Sequence, residues 1–202
     1  LRADLIADNA VFQTTIDSEA MAMLINKYSD GDIVRGVLRA CECFKGSYAL
    51  VVMTADKLIA VRDPYGIRPL CVGELMDDVV VASESCALDA VGANFLRDVE
   101  PGEVLVVDSS GIHSYHMECK KKCKSAACIF EWVYFSRPDS ILDGGSVYQT
   151  RMLAGKILAE NYPVDADIVS GVPDSALVAA RGYSLASGIP YVEALEKNHY
   201  VG

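Results

Sequence analysis

The sequence lacks any long hydrophobic run and has no excess of basic residues. No apolar stretch approaches the ~18–20 residues that a membrane-spanning helix requires. Its 18 basic and 28 acidic side chains give a net charge of −10, whereas nonspecific nucleic-acid binding needs a basic surface. Residues 1–4 contain no methionine, and no basic segment leading into an apolar stretch follows. We therefore expect no membrane and no nucleic-acid partner, a cytoplasmic location, and a chain that is part of a longer one.

Repeats and low-complexity tracts are also missing. Hydrophobic residues make up 51% and charged residues 23% of the chain, which is typical of globular proteins and excludes a disordered or collagen-like chain. The seven cysteines are an odd number spread over apolar segments, which indicates reduced thiols. Four of them lie among small apolar residues, where we predict plain core packing: Cys41, Cys43, Cys71 and Cys86.

The histidines and the later cysteines do not form a zinc pattern. Their spacing is H-x₂-H-x₂-C-x₃-C from His113 to Cys123, which is unusual for a structural zinc site. Four lysines at 118–126 would also oppose a cation. We predict no zinc here.

The first part of the chain combines helices with short strands. Apolar residues at helical spacing predict helices over 17–28 and 32–45, the second ending at Gly46. Tight turns, such as the one at 63–66, then separate short β-rich runs and one short helix. The runs are 48–54, 58–62, 70–73, 79–83 and 104–107, and the helix is 85–91. This order predicts α+β layers built on an antiparallel meander.

A lysine-rich stretch at 118–126 separates this part from a region of different texture, so we predict domains at 1–124 and 125–202. The second region contains apolar runs and helical patterns in alternation. They predict a strand at 129–135, a helix at 146–160, a strand from 167, a helix at 176–186 and a strand from 189. The alternation predicts the start of an α/β domain with a parallel sheet, and so few strands indicate that this domain is incomplete.

The loop at 171–175, Gly-Val-Pro-Asp-Ser, lies between a predicted strand and a predicted helix. Gly171 allows the backbone to approach a ligand closely, Pro173 suits a helix entry, and Asp174 or Ser175 can cap the helix. Free N–H groups at such a helix start, at the carboxyl edge of a parallel sheet, form an anion site. The alternative is an ordinary capped helix.

Three further residues have both a structural and a functional interpretation. Lys197 and Asn198 follow the next predicted strand, where they can bind a phosphate group or simply lie in a solvated loop. Asp17 opens the first predicted helix, where a capping carboxylate contributes ~1 kcal/mol. A carboxylate at that place can also hold an ammonium group, and the two roles are compatible.

Five stretches together resemble one enzyme family. They are DPYGIRPL (63–70), VASESCALD (81–89), CIFEWVYFSRPDS (128–140), DIVSGVPDSALVAARGY (167–183) and KNHYVG (197–202). The first two also occur in other glutamine amidotransferases with an N-terminal nucleophile, and the last three are specific. Over essentially its whole length the chain resembles the glutamine phosphoribosylpyrophosphate (PRPP) amidotransferases.

The resemblance implies a two-domain enzyme of purine synthesis. A glutaminase domain of the αββα N-terminal-nucleophile (Ntn) class releases ammonia from glutamine. A phosphoribosyltransferase domain then uses the ammonia to displace pyrophosphate from PRPP, giving 5-phosphoribosylamine in the first committed step. The implied fold is the back part of the glutaminase, made of antiparallel α+β layers, followed by the start of the α/β transferase. The resemblance also implies Mg²⁺ and a homo-oligomeric full-length enzyme.

The resemblance assigns roles to particular residues. Asp17 matches the aspartate that binds the α-amino group of glutamine, although Ile16 replaces the serine usual before it. The pyrophosphate-binding loop corresponds to Gly171, Val172, Pro173, Asp174 and Ser175, and Ser175 is associated with the Mg²⁺ of the substrate. The flexible loop that closes over PRPP corresponds to Lys197, Asn198 and Tyr200, next to His199, which is often arginine in relatives.

Cys128 matches the first ligand of a [4Fe–4S] cluster in those members that bind one. The other three ligands would lie beyond Gly202. The same cysteine occurs in members without a cluster, so a buried structural thiol is the alternative.

Several expected elements are absent from the sequence. Residue 1 is leucine, where the family has a nucleophilic N-terminal cysteine, and neither the Asn-Gly oxyanion element nor the arginine for the glutamine carboxylate is found. The Asp-Asp loop for PRPP is also missing, because Asp77-Asp78 precedes its strand. We expect an internal segment. The alternatives are an inactive regulatory or binding module, or a glutaminase-like domain joined to another domain, which the GVPDS and KNHYVG motifs disfavour.

The 202-residue chain itself should not hydrolyse glutamine, because it lacks the cysteine whose own amine serves as the base. Glutamate formation by the purified chain is the measurement, and detectable hydrolysis would contradict this interpretation.

Overall fold

The computed structural model describes residues 1–198 and Tyr200, and its residues group into two compact units. Unit 1 comprises Leu1–Leu70 and Val99–Ala127, and unit 2 comprises Cys71–Asp98 and Cys128–Gly202. Cys71–Asp98 thus groups with the later part of the chain, although it precedes the lysine-rich stretch. The two units are groups of residues that pack together. They do not test the domain limits 1–124 and 125–202, which stay a prediction.

The helices and strands follow in chain order. The helices are α1 (Arg2–Ala7), α2 (Asp17–Ser29), α3 (Ile33–Cys41), α4 (Ser85–Val91), α5 (Val147–Asn161) and α6 (Leu177–Ser187). The strands are β1 (Ala49–Met53), β2 (Leu58–Arg62), β3 (Cys71–Leu75), β4 (Asp78–Ala82), β5 (Asn94–Asp98), β6 (Glu103–Asp108), β7 (Gly111–His116), β8 (Ile141–Leu142) and β9 (Gly145–Ser146). A 3₁₀ turn spans Glu118–Lys122, and a π-helical turn spans Glu131–Phe135.

Unit 1 consists of an antiparallel sheet in the order β1-β2-β6-β7 and the helices α1 to α3. The core forms between one helical face, which includes Val37, and the apolar residues of β2 and β6, such as Ile59 and Val104. These side chains are fully buried, and burial of a Val or Ile contributes about 1.5–3 kcal/mol. The predicted antiparallel α+β layer is confirmed.

Three details of unit 1 differ from the sequence prediction. The helix α3 ends at Cys41, and Gly46 lies in the following turn with φ of +97°. Asp17 is the first residue of α2 and does not cap it, because Ile16 occupies the capping position and no side chain caps the helix start. Cys43 is exposed, because it lies past the end of α3, whereas Cys41 is buried as predicted.

Unit 2 contains an antiparallel sheet in the order β4-β3-β5, with α4 packed beside it. Leu88 of α4 is fully buried and packs with Cys71 and Ala93. Burial raises the pKa of the Cys71 thiol to about 12 and also raises the pKa of Cys86. Both thiols are therefore protonated core groups, as predicted.

The segment 129–135, predicted as a strand, is helical. Apart from Glu131 the segment is apolar or aromatic throughout, so its pattern has no period that separates a strand from a helix. Arg151 of α5 stabilises this helical turn. Its buried side chain donates hydrogen bonds to the carbonyls of Trp132 (2.7 Å) and Ser136 (2.8 Å). Burial lowers the pKa of Arg151, and the two carbonyls accept hydrogen bonds from its Nε and one of its terminal nitrogens.

The helices α5 and α6 agree with prediction, and Ser146 caps α5 by accepting a hydrogen bond from the Gln149 N–H at 3.3 Å. The predicted parallel sheet is represented, among the described residues, by one parallel bridge between Val169 and Tyr191. The mixed α/β character with antiparallel sheets is thus confirmed. No helix in the described part of the chain is both long and apolar enough to cross a membrane.

Two glycines let α5 and α6 pack closely. A Cβ on Gly155 would lie 1.9 Å from the Ala179 carbonyl oxygen, and one on Gly182 would lie 2.2 Å from the Met152 carbonyl oxygen. Both obstacles are backbone atoms, so a side chain can be accommodated only if the helices separate.

Gly155→Ala should therefore lower the free energy of unfolding by about 1–3 kcal/mol, the usual cost of overpacking. Urea unfolding of the full-length protein is the measurement. Ala154→Ser, at the exposed neighbouring position, is the control and should change stability by no more than about 0.5 kcal/mol. Equal stability of Gly155→Ala and the unmutated protein would show that the close helix contact is not maintained in solution.

Candidate functional site

Asp17 lies at the start of α2 with its side chain exposed. Its carboxylate makes no hydrogen bond or ion pair with any residue that the structure describes. A free carboxylate in the first helical turn is stabilised by the helix dipole and stays available to an external cation. This is the property that binding of an ammonium group requires.

Glu19, two residues later, holds the backbone that precedes Asp17. Its carboxylate accepts the N–H groups of Gln13 (2.7 Å) and Thr14 (2.8 Å) and the Thr14 hydroxyl (2.5 Å). These bonds, the Gln13 N–H first among them, lower the pKa of Glu19. This role of Glu19 was not predicted from the sequence, although a glutamate in the first turn of a helix is a known signal for a contact back to the preceding segment.

A cavity of about 630 Å³ in unit 1 is lined by Asp17 together with apolar and basic side chains. Met21, Tyr28 and Phe44 are among its apolar walls, and Lys45 lies at its border. Lys27 also borders the cavity, where it forms an ion pair with Asp8. The cavity is large enough for an amino acid, and Asp17 supplies it with an anionic group that is not already paired.

The loop at 171–175 leads into α6, which no side chain caps at its start. The capping position belongs to Ala176, so neither Asp174 nor Ser175 caps the helix, contrary to the sequence prediction. The four N–H groups of the loop, on residues 171, 172, 174 and 175, donate no hydrogen bond to an atom of residues 1–198 or Tyr200. Unpaired N–H groups before a helix N-terminus are suited to bind an anion.

Gly171 is required by packing within the loop. It is buried, and a Cβ there would lie 2.8 Å from Leu177 Cα and 3.1 Å from the Ala176 carbonyl oxygen. Gly171 is not among the positive-φ glycines, so its backbone conformation does not itself require glycine. The glycine instead allows the loop to fold back against the start of α6.

A second loop, which contains Lys197, lies beside the loop at 171–175 because Val169 and Tyr191 form a parallel bridge. Val169 accepts a hydrogen bond from the Val192 N–H and donates one to the Pro190 carbonyl, both at 2.9 Å. The chain leaves this bridge in the same direction on both sides, and the Lys197 ammonium group reaches the Asp174 carboxylate at 3.0 Å. The structure therefore brings together Asp174 and Lys197, which are 23 residues apart in the chain.

The remaining predicted residues of the second loop are solvent-exposed. Asn198 accepts a hydrogen bond from the Tyr200 N–H at 2.9 Å, and the Tyr200 side chain is 99% exposed. His199 lies outside the described residues. Lys197, Asn198 and Tyr200 thus lie in one loop, and the exposed Tyr200 side chain does not pack on the loop at 171–175.

The described residues do not supply a complete set of ligands for either group that the resemblance implies, the Mg²⁺ ion or the [4Fe–4S] cluster. No group of three or more His, Cys, Asp or Glu residues within the described ranges could hold a metal ion. A [4Fe–4S] cluster needs four thiolates, and Cys128 alone does not fit it. Mg²⁺ is often held mainly by substrate phosphates and water, and the Ser175 hydroxyl fits as an additional ligand of a metal that arrives with a diphosphate.

The 63–70 motif has a structural role in unit 1. The Arg62 guanidinium, almost fully buried, donates to the carbonyls of Arg68 and Val99 (both 2.9 Å) and Gly66 (3.2 Å). The Asp63 carboxylate accepts the N–H groups of residues 65 and 67 at 2.9 and 3.1 Å. The motif thus folds a tight loop by satisfying its buried backbone groups.

Comparison with known proteins shows which enzymes this chain is similar to. A model described as a glutamine amidotransferase domain matches residues 1–90. The amidophosphoribosyltransferase of Archaeoglobus fulgidus is 46% identical over 100% of the chain and 44% of the relative. That of Bacillus subtilis is 43% identical over 100% of the chain and 42% of the relative. The chain therefore spans less than half the length of the curated relatives it matches.

Two solved structures have the same fold. One is a glutamine PRPP amidotransferase from B. subtilis complexed with ADP and GMP, with a TM-score of 0.93 and 42% identity over 100% of this chain and 44% of that one. The other is described as the allosteric regulatory enzyme of purine biosynthesis, with a TM-score of 0.94 and 43% identity over 100% of this chain and 43% of that one. Over its whole length the chain is therefore similar to amidophosphoribosyltransferases.

Proposed function

We propose that this chain is the central part of an enzyme that makes 5-phosphoribosylamine from PRPP and glutamine-derived ammonia. The observation that carries the proposal is the loop at 171–175, whose N–H groups are free and whose Asp174 carboxylate contacts the Lys197 ammonium group at 3.0 Å. A pyrophosphate group needs such a combination of backbone donors and positive charge. The 46% identity to an amidophosphoribosyltransferase over the whole chain supports the same reaction.

In the first half, Asp17 binds the α-amino group of glutamine. Its free carboxylate and the adjoining cavity support this role, and Glu19 keeps the preceding backbone in place. The half belongs to an Ntn-type αββα glutaminase, in which the nucleophile is an N-terminal cysteine of the full-length enzyme. Hydrolysis of the glutamine amide then yields glutamate and ammonia.

In the second half, the ammonia nitrogen forms a bond to C1 of the ribose. The bond from C1 to the pyrophosphate oxygen breaks, pyrophosphate leaves with the electron pair, and the nitrogen loses a proton. Negative charge grows on the leaving group during this step, and the N–H groups of residues 171, 172, 174 and 175 stabilise it. Bound Mg²⁺ would neutralise part of the diphosphate charge, and the Ser175 hydroxyl would serve as one of its ligands. Val172 and Pro173 complete the turn, and Asn198 and Tyr200 close over the substrate.

The full-length enzyme is a cytoplasmic homo-oligomer in this proposal. Cys128 is a ligand of a [4Fe–4S] cluster only if the rest of the full-length chain supplies three more cysteines. An inactive regulatory or binding module that kept the fold is the competing function, and it predicts ligand binding without turnover.

Lys197→Ala in the full-length protein should weaken binding of pyrophosphate with Mg²⁺ about tenfold, because one charge-assisted contact to the anion is lost. Titration calorimetry is the measurement. Lys156→Ala, which removes an equally exposed lysine from α5, is the control and should leave the affinity unchanged. Equal affinities of the Lys197 variant and the unmutated protein would mean that the second loop lies in solvent and does not bind pyrophosphate.

A further inference from the structure

The start of α2, where Asp17 lies, is not fixed by backbone hydrogen bonds of the segment that precedes it. None of the N–H groups of residues 11–16 bonds to a backbone carbonyl of a residue that the structure describes. Ile16 occupies the capping position and offers no side-chain oxygen to the free N–H groups of the first turn. The position of the Asp17 carboxylate therefore depends on the side chains that hold residues 12–16.

Two oppositely charged side chains hold this segment, one from each of two helices. Glu19 of α2 accepts the N–H groups of Gln13 (2.7 Å) and Thr14 (2.8 Å). Arg2 of α1 donates from Nη2 to the Thr14 carbonyl, so both backbone groups of Thr14 are bonded. The Arg2 guanidinium also lies over the Phe12 ring, with its Cζ 4.0 Å from the ring centroid, a distance typical of a cation–π contact.

The Arg2 guanidinium is partly enclosed by these contacts. Its Nη1 is covered from solvent and has no hydrogen-bond partner among the described residues, so the cation has lost hydration there. The Phe12 ring and the Glu19 carboxylate compensate for this loss. The hydrogen bond from Gln13 is the largest cause of the lowered pKa of Glu19, and the charge of Arg2 contributes to it. Because Phe12 packs against the buried core of unit 1, Arg2 ties the segment to the rigid part of that unit.

Arg2 and Asp17 border the same cavity but differ in what they contact. The guanidinium of Arg2 is engaged by Thr14 and Phe12. The Asp17 carboxylate has no hydrogen-bond or ion-pair partner within the described part of the chain, so only its backbone sets where it lies before a ligand arrives. A group that is held in place in advance binds its ligand more tightly than one that must first be ordered.

We infer that Arg2 is a positioning residue for glutamine: together with Glu19 it fixes residues 12–16 and thereby places the Asp17 carboxylate for the α-amino group. The inference rests on the proposed function, in which Asp17 binds that group. Arg2 therefore affects the binding of glutamine through Asp17, without contacting the substrate.

The test uses the full-length enzyme and the variant Arg2→Ala. We expect the KM for glutamine to rise roughly tenfold, because a misplaced Asp17 carboxylate loses much of its charge-assisted contact with the ammonium group. The kcat at saturating glutamine should stay unchanged, because Asp17 contacts a part of the substrate that does not react. Ammonia-dependent synthesis should not respond either. Arg35→Ala, at an exposed arginine of α3, is the matched control and should leave the KM for glutamine unchanged.

Two double variants separate positioning from general stability. In an Asp17→Asn background, Arg2→Ala should raise the KM by less than about twofold, because residues that act through one contact do not have additive effects. Ile16→Ser should bring the KM of the Arg2→Ala enzyme back towards that of the unmutated enzyme. Ile16 has the extended backbone of a capping residue (φ −71°, ψ 147°), so a serine there can accept an N–H of the first turn. Loss of stability alone would lower the melting temperature without this dependence of the KM on residue 17.

The outcomes distinguish failure of the inference from failure of the proposed function. An equal rise of the KM with and without the Asp17 carboxylate would overturn the inference, because Arg2 would then act independently of Asp17. An unchanged KM in a folded Arg2→Ala enzyme, beside a raised KM in Asp17→Asn, would overturn it too and leave the proposed function intact. Arg2→Gln, which removes the charge and keeps a polar side chain, replaces Arg2→Ala if that variant does not fold, and an unchanged KM has the same meaning. Normal glutamine kinetics of Asp17→Asn itself would overturn the proposed role of Asp17, and the inference with it.

Discussion

Replacing Asp17 with asparagine should raise the KM for glutamine of the full-length enzyme by roughly 10–150-fold, the equivalent of one charge-assisted hydrogen bond of about 1.5–3 kcal/mol. Asparagine keeps the size of the side chain and removes the charge that attracts the α-amino group. Ammonia-dependent synthesis should be unchanged, because ammonia does not use the glutamine site. Steady-state kinetics with each nitrogen donor measures both quantities.

Asp30→Asn provides the matched control for Asp17→Asn. Asp30 is an exposed aspartate at the other end of α2, where it pairs weakly with Arg35 at 3.7 Å. The KM for glutamine should not respond to it. If Asp17→Asn lowered the melting temperature and left glutamine kinetics normal, Asp17 would serve only the helix dipole and the glutamine site would lie elsewhere.

Replacing Gly171 with valine should lower kcat/KM for PRPP by about two orders of magnitude, the loss that a displacement of ~1 Å at a reacting site can cause. The new Cβ would lie 2.8 Å from Leu177 Cα, so the loop must move and carry its N–H groups away from their present positions. Both glutamine- and ammonia-dependent synthesis should fall together, in contrast to the Asp17 variant.

A second variant tests the same loop in case Gly171→Val does not fold. Ser175→Ala leaves the loop backbone without a steric conflict and removes only the hydroxyl, so it should lower kcat/KM for PRPP by a smaller factor with both donors. Thermal unfolding shows whether each variant is folded. A folded Gly171→Val enzyme with unchanged kcat/KM for PRPP would mean that the loop is an ordinary connection into α6.

The elements that the sequence predicted well are those with a clear period. The helices α2, α5 and α6 have apolar residues at helical spacing, and β2 and β6 are short β-branched runs. The run at 129–135 has neither property, because nearly every residue is apolar. Its helical turn depends on the Arg151 side chain, which comes from a later helix and leaves no mark on the local pattern.

In the candidate site too, features set by neighbouring residues were predictable from the sequence, whereas contacts with distant residues were not. The loop at 171–175 was recognisable from its glycine, its proline and the helix that follows. Its ion pair with Lys197 was not, because it depends on the pairing of Val169 with Tyr191.

The measurement that tests the central claim most directly is the product balance of the full-length protein that contains this chain. With PRPP, Mg²⁺ and glutamine, we predict glutamate, pyrophosphate and 5-phosphoribosylamine in equal amounts, and replacement of glutamine by ammonia should preserve the last two. Glutamine hydrolysis without pyrophosphate release, or binding of both substrates without any turnover, would contradict the account.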